Sequence, residues 1–144
     1  MLGFSGLYCI LRRFKHLFYV LSLVFLFVLC FPALARSQDD TPPAAITDLT
    51  GQCDNATGDV TLYWSTPGDD GWTTTLAEGS KYGIDYSSYS KQWNKDDYEV
   101  EIPTHSVAPQ TQVWHTIAGL TTDTTWYFQI WAADEVPNWS DLSN

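Results

Sequence analysis

From Ala45 onward the apolar residues alternate with polar ones, and no segment holds a helical period. "VTLYW" sends Val60, Leu62 and Trp64 to one side and Thr61 and Tyr63 to the other. "KYGIDYS" sets Tyr82, Ile84 and Tyr86 against Lys81, Gly83, Asp85 and Ser87. "VWHTI" alternates Val113, His115 and Ile117, and "WYFQIWAA" sets Trp126, Phe128, Ile130 and Ala132 against Tyr127, Gln129, Trp131 and Ala133. Successive side chains of a strand point to opposite faces, so a period of two marks strands with one buried face. Turn chemistry separates the runs: "DNATGD", "TPGDDG", "NKDD", "APQTQ", "TTDT" and "DEVPN". Short strands punctuated in this way predict an all-β sandwich.

The first 35 residues follow different rules. Arg12, Arg13 and Lys15 precede an apolar run from Leu17 to Ala35, interrupted by Ser22 and Pro32 and closed by Ala33-Leu34-Ala35. A basic flank, an apolar stretch and a small-x-small ending predict a secretory signal peptide over 1–35, cleaved after Ala35. An uncleaved membrane anchor is the alternative, because the run is almost long enough to span. Residues 36–44, with Pro42 and Pro43, are expected to form an extended linker, and 45–144 the domain.

Cleavage would leave four basic side chains, Arg36, Lys81, Lys91 and Lys95, against all 17 acids, a net charge of about −13. Such a surface repels nucleic acid and anionic lipid. No nucleic-acid partner is expected, and no membrane contact once the signal is removed. Cys9 and Cys30 belong to the signal, so Cys53 is the one cysteine left, and no internal disulfide or cysteine-based zinc site can form. Cys53 is expected to be buried as a small hydrophobe, or else paired with a partner.

Several of these segments carry a family resemblance. "PPAAITDLT" resembles the first strand, "VTLYWSTPGDDG" the second strand and its loop, "YGIDYS" the third strand, and "IAGLTTDTTWYFQIWAADEVPNWSDLSN" the Gly-Leu turn, sixth strand and following loop of a fibronectin type III domain, of the kind repeated in large exported bacterial proteins. The resemblance runs from about Pro42 to Asn144. It implies an immunoglobulin-like β-sandwich in which Trp64 is the core tryptophan. Three features depart from the family's pattern. Thr122 and Asp123 replace a Pro-Gly turn. Trp126 stands where the corner tyrosine belongs, so the usual phenol-to-backbone hydrogen bond must be replaced or lost. The sequence reaches "DLSN" where a seventh strand should begin, so the last strand is expected to be missing: the chain is a fragment, or the domain is completed by something else. The third strand is expected to leave one sheet edge open.

In this register Trp126, Phe128 and Ile130 should pack on Trp64, Ile84 and Tyr86 across the sandwich. Tyr127 and Trp131 should face outward, with room beside them at Gly83 and Asp85, while Trp139, Trp72 and Trp93 lie in loops. Exposed aromatics indicate contact. Loops or neighbouring repeats can cover them. Flat rings can also stack on sugars, which makes Tyr127, Trp131 and Trp139 the candidate ligand contacts. The resemblance also gathers two acidic loops and the amino-terminal lead at one pole, bringing Asp39, Asp40, Asp69, Asp70, Asp134, Glu135 and Asn138 towards one end. Asp69, Asp70 and Asp134 are the candidate calcium ligands there, with Glu135, Asn138 or backbone carbonyls completing the shell. Ordinary solvated turns are the competing explanation, and no other cofactor is implied.

His105 and His115 lie in a loop and a strand, and no nucleophile turn, phosphate-binding glycine loop or His-x-x-x-His pair is present. The expected function is therefore non-catalytic: a spacer or adhesion module of a larger secreted or cell-surface protein. Its partners would be neighbouring domains or surface proteins. The alternative is a carbohydrate-binding accessory module of a secreted hydrolase, with polysaccharide as partner.

Overall fold

The structure, a computed structural model, describes residues 39–144. The expected signal peptide, with Cys9 and Cys30, lies outside the described residues. Six strands form: β1 (Thr50–Asp54), β2 (Asp59–Ser65), β3 (Lys81–Ser87), β4 (Val100–Pro103), β5 (Gln112–Ile117) and β6 (Tyr127–Ala133). There is no helix among the described residues. The strands make two antiparallel three-stranded sheets, ordered β1-β2-β5 and β4-β3-β6. The all-β sandwich expected from the alternation is present.

The core sits between the inner faces. Ile46, Leu62, Trp64, Leu76, Ile84, Ile130 and Ala132 are buried in one cluster, with Tyr86, Trp126 and Phe128 partly buried against it. Trp64 meets Tyr82 edge to face at 5.2 Å, and Tyr86 stacks on Phe128 at 6.0 Å. Each large side chain so removed from water contributes about 1.5–3 kcal/mol. Three buried core members, Ile46, Leu76 and Leu120, come from outside the strands. Ile46 precedes β1, and Leu76 reaches in from the long β2–β3 connection, where its backbone pairs with Val107.

A side-chain hydrogen bond closes the corner before β6. The indole Nε1–H of Trp126 donates to the Thr121 carbonyl at 3.2 Å. Of the two outcomes expected at Trp126, a bond replaced or a bond lost, the structure has a side-chain-to-backbone bond made by the indole.

Three expectations about the strands change. "PPAAITDLT" is not the first strand, because β1 begins only at Thr50. Pro42 and Pro43 have no N–H for a ladder. The segment from Pro42 to Ala44 docks instead on Gly71, with Ala44 N–H donating to Gly71 O and Gly71 N–H to Pro42 O, both at 3.0 Å. The third strand has no open edge, since β3 lies between β4 and β6. Nor is the outer edge of β6 bare: Trp139–Asn144 run antiparallel along it. Ser140 N–H donates to Ala132 O at 2.8 Å, and Ser143 N–H to Ile130 O at 3.2 Å. In return the Ala132 and Ile130 N–H groups donate to the hydroxyls of Ser140 (3.0 Å) and Ser143 (3.1 Å). Serine side chains here stand in for strand carbonyls.

Candidate functional site

The candidate residues singled out by sequence lie at an acidic end of the sandwich and on the outer face of β4-β3-β6; the outer face of β1-β2-β5 adds a third region.

At the acidic end, Asp134 is buried and fully occupied by its own turn. Its Oδ1 accepts the N–H groups of Val136 (3.0 Å) and Asn138 (2.7 Å), and its Oδ2 accepts Asn138 Nδ2–H at 2.7 Å. The same Asn138 amide donates to the Asp39 carbonyl at 2.9 Å, tying the entering chain to the β6 turn. Asp70 closes a tight turn with Thr73 and Thr74. The expected trio of Asp69, Asp70 and Asp134 is therefore not assembled. Asp69 instead lies with Asp39 and Glu135, one carboxylate oxygen of each within 4.8 Å of the other two. Burial, and then the charges of Glu135, Asp39, Asp134 and Asp70, push the Asp69 carboxyl up from 3.8 to about 6. Its Oδ1 is buried without a hydrogen-bond partner. Three oxygens are half or fewer of those calcium takes.

The outer face of β4-β3-β6 is covered. The segment between β3 and β4 folds back over it and is held by an ion pair between a part-exposed lysine and a buried carboxylate: Lys91 Nζ lies 2.7 Å from Asp85 Oδ2 and 2.9 Å from Oδ1, with Asp85 only 1 % exposed. The Lys91 ammonium also lies 5.0 Å from the centre of the Trp93 ring. The room expected beside Gly83 holds the Tyr98 ring, whose Cδ1 would lie 2.8 Å from a β-carbon at Gly83. Tyr98 packs on Trp139 at 5.7 Å, and Lys81 Nζ stands 5.9 Å and 5.6 Å from these two rings. Lys81 also donates to Glu101 Oε2 at 2.8 Å and to Tyr98 Oη. These bonds raise the Lys81 pKa, and the bond from Lys81, followed by that from Tyr98, lowers that of Glu101.

Trp131, directly opposite Gly83 on this face, is 4 % exposed. Its expected role as an outward ligand contact is overturned, because the folded-back segment takes the space a ligand would need. Trp139 is half-buried, and Tyr127, nearer the far end of β6, is exposed.

The outer face of β1-β2-β5 is open. Trp114, on β5 and opposite Tyr63 of β2, is 67 % exposed. It was missed in the sequence although its signal was there: the alternation that turns Val113, His115 and Ile117 inward turns Trp114 out. Beside it lies a shallow depression of about 390 Å³, lined by Gln52, Cys53, Asp54, Asp59, Thr61 and Thr116. Cys53 is exposed, which corrects the expectation of burial: every residue of the edge strand β1 is exposed. A second cavity, of about 90 Å³, lies between the β1–β2 hairpin and Leu120–Thr124. It is smaller than the roughly 300–1,000 Å³ of small-molecule sites. The acidic trio is the one close group of three or more ligating side chains among the described residues, and it contains neither histidine nor cysteine.

Neither protein-family models nor curated proteins give a match to this chain.

Proposed function

We propose that this chain is a non-catalytic spacer or adhesion module of a larger exported protein, built on a fibronectin type III plan behind a cleaved signal peptide. The observation that carries the reading is the path of the chain. It enters the sandwich at the end where Asp39 meets Asn138, and Trp139–Asn144 run back along β6 away from that end. Modules with such a path can be strung in line. The sheet order, the buried Trp64 and the Trp126 corner bond support the fibronectin-type plan. Support for export comes from the basic and apolar pattern of residues 1–35. The surroundings of His105 and His115 favour no catalytic role. His105 is exposed in a loop, and His115 is half-buried on the inner side of β5, opposite Leu62.

Two measurements test this. Expression of the full chain in a secreting host, followed by N-terminal sequencing, should return a protein beginning at Arg36. A chain that keeps its first 35 residues refutes the signal. The exported protein should turn over no chromogenic ester, glycoside or peptide faster than its heat-denatured control, and reproducible turnover refutes the non-catalytic reading.

A further inference from the structure

We propose that the open face of β1-β2-β5 binds a neutral polysaccharide, with Trp114 as the stacking platform. This rests on the reading of the domain as a non-catalytic module and gives that module a ligand class. The argument begins with a contrast between two tryptophans at similar positions. Trp131 and Trp114 both project from the outer face of a sheet, each from the middle of a strand. The fold covers Trp131 with a segment anchored by the Lys91–Asp85 ion pair, and leaves Trp114 67 % exposed. An indole held on a sheet, with Tyr63 in register across the strand pair, offers an apolar ring to one side of a ligand.

The chemistry around that ring narrows the ligand. The same face presents Thr50, Gln52, Thr61, Ser65, Gln112 and Thr116, all hydroxyls or amides. It carries no basic side chain. The carboxylates lie at its ends: Asp48 accepts the Ser65 N–H at one end, and Asp54 and Asp59 stand at the hairpin end and line the depression next to Thr61 and Thr116. At the hairpin end one oxygen of each aspartate is already bonded, Asp54 Oδ1 to Ala56 N–H and Asp59 Oδ1 to Gly119 N–H, which leaves the other free to accept. An anionic ligand would find no cation here and would meet a strongly acidic protein. A cationic partner would find the middle of the face uncharged. A lipid surface requires more apolar area than one indole and one phenol among polar neighbours. A ligand with flat apolar ring faces and many hydroxyls matches on each count, and the depression of about 390 Å³ can seat sugar units beside the stacked one.

The test is affinity electrophoresis of the full chain through native gels containing soluble neutral polysaccharides (hydroxyethylcellulose, xyloglucan, galactomannan, starch) or anionic polygalacturonate. At least one neutral gel should retard the protein, and polygalacturonate should not. Trp114→Ala should weaken binding at least about tenfold with an unchanged melting curve, since the ring is mostly in solvent. Trp114→Phe should recover part of it, and Tyr127→Ala should have no effect. Retardation by no neutral polysaccharide, or retardation that survives Trp114→Ala, overturns the proposal while leaving the non-catalytic reading intact. Release of new reducing ends from a bound polysaccharide would refute that reading instead. A concentration-dependent dimer abolished by Trp114→Ala, without glycan binding, would assign the face to self-association and overturn the proposal.

Discussion

Replacing Ser140 or Ser143 by alanine tests whether side-chain hydroxyls close the edge of β6. Each hydroxyl accepts one β6 N–H, from Ala132 at 3.0 Å and from Ile130 at 3.1 Å. Both acceptors are buried, and Ala132 and Ile130 are fully buried. Alanine would leave a buried N–H without a partner, at about 1–3 kcal/mol each. In a domain of about 100 residues, 1 kcal/mol moves the midpoint of melting by roughly 4–8 °C. Each single variant should therefore melt about 5–15 °C lower. The two serines belong to one short segment, so their effects should not add independently. Asp141→Ala, exposed between them, should stay within about 0.5 kcal/mol. Urea unfolding followed by tryptophan fluorescence gives the energies, and hydrogen exchange at the Ile130 and Ala132 amides gives the location. Wild-type protection at both amides should be lost selectively at the amide facing each mutated serine. Single variants within about 0.5 kcal/mol of wild type, with both amides still protected, would refute the reasoning.

Three further outcomes follow from the surface regions. The folded-state pKa of Asp69 is raised, so its protonated form is favoured in the fold, and stability should fall as pH rises from 3.8 through about 6. Asp69→Asn should flatten that decline and stabilise the domain at pH 7 by about 1 kcal/mol, allowing for solvent screening of a part-buried group; thermal melts of both proteins across this range are the check. Gly83→Ala would drive a methyl group into the Tyr98 ring and should cost about 1–3 kcal/mol. It should also loosen the covering segment, read as a red shift of Trp131 emission in a variant whose other tryptophans are replaced by phenylalanine. In a Cys9→Ser/Cys30→Ser background, Cys53 should react with a thiol reagent as fast in the native protein as in denaturant; reaction only after unfolding would contradict its exposure.

Alternation made β2, β3, β5 and the inner face of β6 legible, because each buries one face against the same core. It could not show whether the opposite face is wet. Trp131 and Trp114 give the same sequence signal, and only the long-range docking of Lys91 and Tyr98 separates them. β4 escaped because four residues, one of them proline, carry too little pattern. Leu76 escaped because a single leucine in a polar loop has no period. The acidic pole, Asp39 included, was visible as a group, but which of its members meet depended on turns: Asp134 is consumed by Asn138, the residue after Pro137. The free thiol at Cys53 was misjudged because residue type suggested burial, whereas an edge strand without a covering neighbour leaves even a small hydrophobe in water.

The way the chain enters and leaves the sandwich also determines how it would bear tension. The hydrogen bonds between Trp139–Asn144 and β6 run across the strand direction, as do those between Pro42–Ala44 and Gly71. A pull on the entering segment, away from the Asn138 end, and an opposite pull beyond Asn144 would both act along these segments. Each set of bonds would then be sheared together instead of opened one at a time like a zip. Asn144 adds a crosswise tie, its side chain bonded both to and from the backbone of Leu49. Stretched from its two ends, this domain should give way late and abruptly. The same fold pulled sideways from β1, whose outer edge is unpaired, should peel apart at much lower force.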